Sequence, residues 1–169
     1  MTDAIRTAID GASAYLSEHP NEARYTDSSA TAIVDDRLHT TVTGPSGERL
    51  ETDMPGAVGG RGVAPSPGWF LRAATAACVS SLAAMRAAQL RIAGFSISVE
   101  VDSVSDDRGI LGVDPTTPAG PMSMRIAIRV SGPADQGVLD DVAHWAVEHC
   151  PVSDAVRRAV PVQVEVNVG

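Results

Sequence analysis

The sequence predicts an α+β fold in which antiparallel strands and helices are segregated rather than interleaved. Three observations carry that reading. Residues 29–53 hold three short β-prone runs separated by turn chemistry at Asp35-Asp36 and at Gly44-Pro45-Ser46-Gly47. Residues 95–104 and 122–130 each alternate apolar and polar side chains, as strands with one face on a core do. Helical patterns at 67–92 and 134–149 flank this second strand pair and do not alternate with single strands, which argues against a parallel βαβ sheet.

Along the chain, Ile5, Ala8, Ile9, Ala12 and Leu16 recur at helical spacing over residues 3–18, with Asp3 available as a cap and His19-Pro20-Asn21 as the stop. The spacing predicts an amphipathic helix lying on the body of the fold or across a partner subunit. Strands follow at 29–34, 37–43 and 48–53. The stretch 54–68, MPGAVGGRGVAPSPG, is a loop by composition; its glycines match neither a Walker loop nor a Rossmann turn. The long helix over 67–92 has Ser66 placed to cap it and Pro67 at its first position. Leu71, Ala74, Cys78, Leu82 and Met85 form its core-facing stripe, and Gly94 ends it. The strands at 95–104 and 122–130 are joined by a turn-rich connection, 105–121. Leu139, Val142, Ala146 and Cys150 line one stripe of the helix at 134–149, and Pro151 restarts the chain into a short helix over about 152–159. Val160, Val162, Val164, Val166 and Val168 alternate as a final strand.

With 169 residues the chain is long enough for a substantial core, and with 4% aromatics that core is aliphatic. A net charge of −8 disfavours nucleic acid and anionic membrane as partners. All 13 basic residues are arginine, which excludes a lysine nucleophile or Schiff base. No run of about 18 apolar residues is read as a membrane span. The first twenty residues carry acids and no sustained apolar stretch, so the expected compartment is the cytoplasm. His19, His39, His144 and His149 lack metal-ligand spacing, and no cofactor motif is present, so neither metal nor cofactor is expected.

Cys78 and Cys150 are the only cysteines. Free cysteine is commonly a buried and inert small apolar residue. In a cytoplasmic setting, however, two thiols that meet form a transient catalytic or sensing disulfide more readily than a permanent one. Cys150 precedes Pro151 at a helix start, where backbone N–H groups favour a thiolate, whereas Cys78 lies mid-helix in apolar company that raises its pKa unless a cation is near. For Trp69 and Trp145, beside the two cysteine helices, core packing is the expected role.

Four local signatures then fall in order. They are Ala64-Pro65-Ser66-Pro67 opening a helix, Ala76-Ala77-Cys78 twelve residues after Ser66, an Asp106-Asp107-Arg108-Gly109 turn between two strands, and His149-Cys150-Pro151-Val152-Ser153 before a terminal strand. With these the chain resembles the OsmC/Ohr family of osmotically inducible and organic-hydroperoxide-resistance proteins over residues 28–168. Residues 1–27 are then a helical extension and 28–169 an OsmC-like domain. The resemblance implies an intertwined homodimer with long central helices, and a thiol peroxidase of oxidative or osmotic stress defence. Cys78 would be the peroxidatic thiol, Cys150 the resolving thiol, a small organic hydroperoxide the substrate and a lipoyl-type or other small dithiol the reductant. Trp69 and Trp145 would have a second possible role, lining an apolar pocket for a bulky hydroperoxide. The family's thiolate-stabilising arginine corresponds to Arg37 in the first hairpin or Arg61 in the loop. Its orienting glutamate, in an Asn-Pro-Glu at the head of the long helix, is replaced here by Ser66-Pro67-Gly68, with Glu48 and Glu51 as alternative acids. The competing reading is a non-catalytic OsmC-like dimer that binds an apolar small ligand or a partner.

Overall fold

The computed structural model describes residues 2–158 and 160–169. The elements are α1 (Thr2–Glu18), β1 (Thr31–Val34), β2 (Thr40–Thr43), β3 (Arg49–Thr52), α2 (Pro67–Gln89), β4 (Ser96–Val104), α3 (Asp107–Ile110), β5 (Ser123–Ser131), α4 (Gln136–Glu148) and α5 (Pro151–Arg157). Short 3-10 turns lie at Pro20–Glu22 and Gly56–Val58. The strands form one sheet of order β1-β2-β3 and a separate pair, β4-β5. This is the α+β arrangement that the sequence predicts.

The chain divides into two compact units. One comprises the residues up to Arg6, Thr75–Val101 and Arg125–Gly169. Its core is the stripe Val79, Ala83 and Ala87 of α2, with Ile92 just beyond, against Leu139, Val142 and Ala146 of α4 and the thiol of Cys150. Ile97 and Val99 of β4 and Ile128 and Val130 of β5 pack onto that core at every second position, as the period of two requires. Small residues at Ala83, Ala87 and Ala146, each at most 2% exposed, let the helix faces come close.

The other unit comprises Thr7–Ala74 and Asp102–Met124 and contains the three-stranded sheet. Both of its hairpins are antiparallel, with Val34 opposite Thr40 and Thr43 opposite Arg49. The first turn places Arg37 at φ +54, and the second uses Gly47 at φ +93. The Gly/Pro loop is organised by Asp53, which is 2% exposed. Its carboxylate accepts the N–H of Met54 at 2.7 Å, Val63 at 3.1 Å and Arg61 at 3.2 Å. Burial raises the Asp53 pKa, but the donors from Val63, Met54 and Arg61 outweigh it and hold the carboxyl below its ordinary value.

α2 begins as expected: Ser66 Oγ accepts the Trp69 N–H at 3.3 Å, and Pro67 fills the first position. It ends earlier than Gly94, through Arg91 at φ +60, with the Ile92 N–H donating to the Ala87 carbonyl at 2.9 Å. With its 23 residues, α2 is long and apolar enough to cross a membrane by length and composition, contrary to the sequence expectation that no segment is. Part of that apolar surface, at Val79, Ala83 and Ala87, serves the core described above, and the helix also carries Arg72 and Arg86.

Three further expectations change. Residues 160–168 form no strand, and Val162, Val164, Val166 and Val168 are 77–91% exposed. Alternation records a preference for a pleated surface, but a strand exists only where a neighbouring edge takes its hydrogen bonds. Trp69 is 48% exposed and lies outside the core, edge-on to Phe70. Along α1 no residue is fully buried; Leu16 is exposed, and Asp3 lies inside the helix, paired with Arg6, rather than capping it. Residue 159, where the sequence ends the last helix, lies outside the described residues.

Candidate functional site

α2 carries Cys78 and the α4–α5 junction carries Cys150 within one compact unit, and both belong to one packed cluster, Cys150 inside it and Cys78 against it. Both are free. Cys150 is fully buried, whereas Cys78 packs against the same core cluster but keeps partial exposure. Their separation of 72 positions is closed by the packing of α2 on α4, so the meeting of the thiols is a tertiary fact.

Cys150 is the N-cap of α5, with Pro151 following it. The Ser153 N–H points at its sulfur, with a donor-acceptor distance of 3.4 Å. The Ser153 hydroxyl donates to the Val147 carbonyl at 2.9 Å and lies 3.2 Å from the Cys150 carbonyl, which fixes the turn. Burial raises the Cys150 pKa, yet the Ser153 N–H, the Cys78 thiol, the Ser153 hydroxyl and the Val152 N–H together bring it below the ordinary thiol value. Cys78 moves the other way. Burial raises it, the hydrogen bond to Cys150 raises it further, and the Val152 N–H only partly opposes them. The pair therefore loses its first proton from Cys150, with Cys78 as the donor to the thiolate. Ser153 and Val152 were not singled out from the sequence. The signal for Ser153 lies in Cys150-Pro151-Val152-Ser153, where a cap residue precedes proline and a third-position N–H.

A stack borders this junction. Trp145 lies over His149 with ring centroids 4.1 Å apart, and the Arg86 guanidinium of α2 sits 5.3 Å from the Trp145 ring. Trp145 thus ties the helix bearing Cys78 to the helix preceding Cys150. His149, exposed at the C-cap of α4, places Nδ1 2.8 Å from the Trp145 carbonyl.

Arg37 and Arg61 belong to the other unit. Arg37 is exposed at the tip of the β1–β2 turn. Arg61 pairs with Asp36 of that turn at 2.9 Å. Beside it, Asp35 bonds His39 at 2.8 Å, and that contact, with the Asp36 N–H, lowers the Asp35 pKa. Glu51 pairs with Arg49, and Glu48 folds back onto the Ser46 N–H; these are local contacts of the second hairpin. Among the described residues no cluster of His, Cys, Asp and Glu is arranged to hold a metal.

The family model described as OsmC-like protein matches residues 59–165, more than half of the chain. No curated protein sequence matches. Among solved structures, an organic hydroperoxide resistance protein OsmC from Legionella pneumophila is 26% identical with a TM-score of 0.56, over 80% of this chain and 91% of that one. An OsmC like protein from Mycoplasma pneumoniae is 14% identical with a TM-score of 0.66, over 80% and 91%. The organic hydroperoxide resistance protein OhrB of Bacillus subtilis is 22% identical with a TM-score of 0.51, over 84% and 98%. At their identities the last two show likeness of fold alone.

Proposed function

The chain belongs to the OsmC-like protein family, and from that premise we propose that it is a thiol peroxidase that reduces organic hydroperoxides through Cys78 and Cys150. The observation that carries the reading is that the only two thiols of the sequence share one packed cluster, one reachable and one buried.

Cys78 is the attacking thiol because a peroxide can reach it, whereas Cys150 is enclosed. A cation beside Cys78 favours its thiolate and leaves the pair's proton on Cys150. The Cys78 thiolate attacks the terminal peroxide oxygen; the S–O bond forms as the O–O bond breaks, and the alkoxide leaves as alcohol with the Cys150 proton. The Cys150 thiolate, steadied by the Ser153 N–H, then attacks the Cys78 sulfenic sulfur. Hydroxide departs and takes a proton from solvent as water, leaving a Cys78–Cys150 disulfide. An external dithiol, lipoyl-type or smaller, returns the two thiols by exchange and is itself oxidised to a disulfide.

The working form in this proposal is a cytoplasmic homodimer, in which the unpaired valines at 160–168 find a sheet edge in the second copy. The chemistry is tested by following cumene hydroperoxide consumption with dihydrolipoamide as reductant. Wild type is expected to turn over, and Cys78→Ser to fall to the uncatalysed rate. Equal rates for the two proteins would end the peroxidase reading.

A further inference from the structure

At the head of α2 the sequence departs from the family pattern, and the structure shows what that departure exposes. A side chain built at Gly68 would put its Cβ 3.9 Å from Arg72 Nη1 and 4.0 Å from Ser66 Oγ, with no other heavy atom as near apart from its chain neighbours and its own helix backbone. The space above Gly68 is therefore open, and it faces a guanidinium. Arg72 donates to Ser103 Oγ at 3.2 Å and makes no ion pair among the described residues. This contrasts with Arg49, Arg61, Arg108 and Arg158, each of which holds a carboxylate at 2.9 Å or closer.

Arg72 and Gly68 line one cavity of about 310 Å³, contained within the unit that holds the three-stranded sheet. Met54, Pro55, Leu71, Ile110 and Pro121 supply its apolar wall. That wall is held in place: a Cβ at Gly109 would meet the Pro118 carbonyl oxygen at 2.1 Å, so the 105–121 connection closes tightly on itself beside the cavity. Two carboxylates also border the space. Asp106 is engaged by Arg108 through Nη2 at 2.5 Å and Nε at 3.0 Å, while Asp107 is exposed on the first turn of α3. An apolar enclosure with one cation that lacks a carboxylate partner is complementary to one chemical class of ligand.

We propose that this cavity binds a small monocarboxylate with an apolar body, its carboxylate meeting Arg72 in the space that Gly68 leaves open and its hydrocarbon lying on Met54, Leu71 and Ile110. The site acts by binding, not by thiol chemistry, and stands whether or not the chain reduces peroxides. In effect the ligand supplies the negative charge that a glutamate at position 68 would otherwise place beside Arg72.

The test is calorimetric titration with hexanoate, hexan-1-ol and hexylamine, in the Cys78→Ser protein and without peroxide, so that its outcome is independent of turnover. Hexanoate is expected to bind saturably, hexan-1-ol at least about tenfold more weakly, since a charge-assisted hydrogen bond is lost, and hexylamine not at all. Arg72→Gln is expected to remove the preference for hexanoate over hexan-1-ol. Gly68→Glu, which places a competing carboxylate on Arg72, should abolish hexanoate binding, whereas Gly68→Ala should retain it, because its Cβ makes only ordinary contacts. Asp107→Asn should tighten it. Should Arg72→Gln fail to fold by circular dichroism, the pair Gly68→Glu and Gly68→Ala decides alone. Equal affinity for hexanoate and hexan-1-ol, undiminished binding to Gly68→Glu, or no saturable binding of hexanoate would overturn the proposal.

Discussion

At Cys78 and Cys150, burial acts on both thiols in the same sense, and their hydrogen bonds decide the difference between them. Burial raises each, but the Ser153 N–H and the Cys78 thiol favour the charged form of Cys150, while Cys78, as the donor, is held in its protonated form. Removing Cys150 should therefore lower the Cys78 pKa, because that one group raises it both by its hydrogen bond and by its charge, and burial alone then remains to raise it. Ultraviolet thiolate absorbance against pH checks this: Cys150→Ser should titrate at lower pH than Cys78 does in the wild type. The same variant should accumulate the Cys78 sulfenic acid after one equivalent of hydroperoxide, read by dimedone labelling and mass spectrometry. Asp53 gives a pH prediction for stability. Its folded pKa lies below the ordinary aspartate value of 3.8, so its contribution is fully present above that value and is lost as pH falls through the lower, folded one. Urea unfolding midpoints should drop with acidification in that window, and drop less steeply in Asp53→Asn, whose midpoint is already lower at neutral pH.

At the scale of elements, the decisive contact is α2 on α4. Alanines at 83, 87 and 146 let the helices close, and the Arg86–Trp145–His149 stack fastens the surface side of the same seam. Arg86→Ala should cost about 1 kcal/mol of stability, the ordinary worth of a partly shielded cation–π contact, with Arg86→Lys retaining most of it. Chemical unfolding of the two variants measures that difference. The helices themselves were legible in advance because each carries local signals: Ser66 and Pro67 at the start of α2, a stripe of period 3.6, Pro151 at the restart. Where a boundary moved, a local detail decided it. α2 stops at Gln89 and not at Gly94 because Arg91 takes the left-handed conformation and Ile92 closes the last turn. The usual fate of tryptophan predicts a core place for Trp69, but its position in the first turn of α2 leaves it 48% exposed.

For the whole molecule, the terminal valines pose the question of assembly. Five alternate valines, four of them more than three-quarters exposed, carry the pattern of a strand without forming one, and an exposed segment with that pattern is prone to pair with a sheet edge or to aggregate. A chain ending at residue 158 should run as a monomer in sedimentation velocity while the full chain runs as a dimer; two dimers, or two monomers, would refute the role given to this segment. Periodicity and turn chemistry by themselves determined the α+β class, the order of the elements and the stripe to which each cysteine belongs, because these depend on residues within a few positions of one another. The family resemblance, resting on short runs in fixed order, was legible for the same reason. Only the tertiary structure decided that the two thiols share one packed cluster, that Cys150 is the enclosed one, that Arg61 is engaged by Asp36, and that the 54–55 and 105–121 segments form a cavity at Gly68 and Arg72. Each of these depends on how segments remote in sequence are brought within a few ångströms, where burial and hydrogen bonds act, and no local pattern of residues encodes those distances.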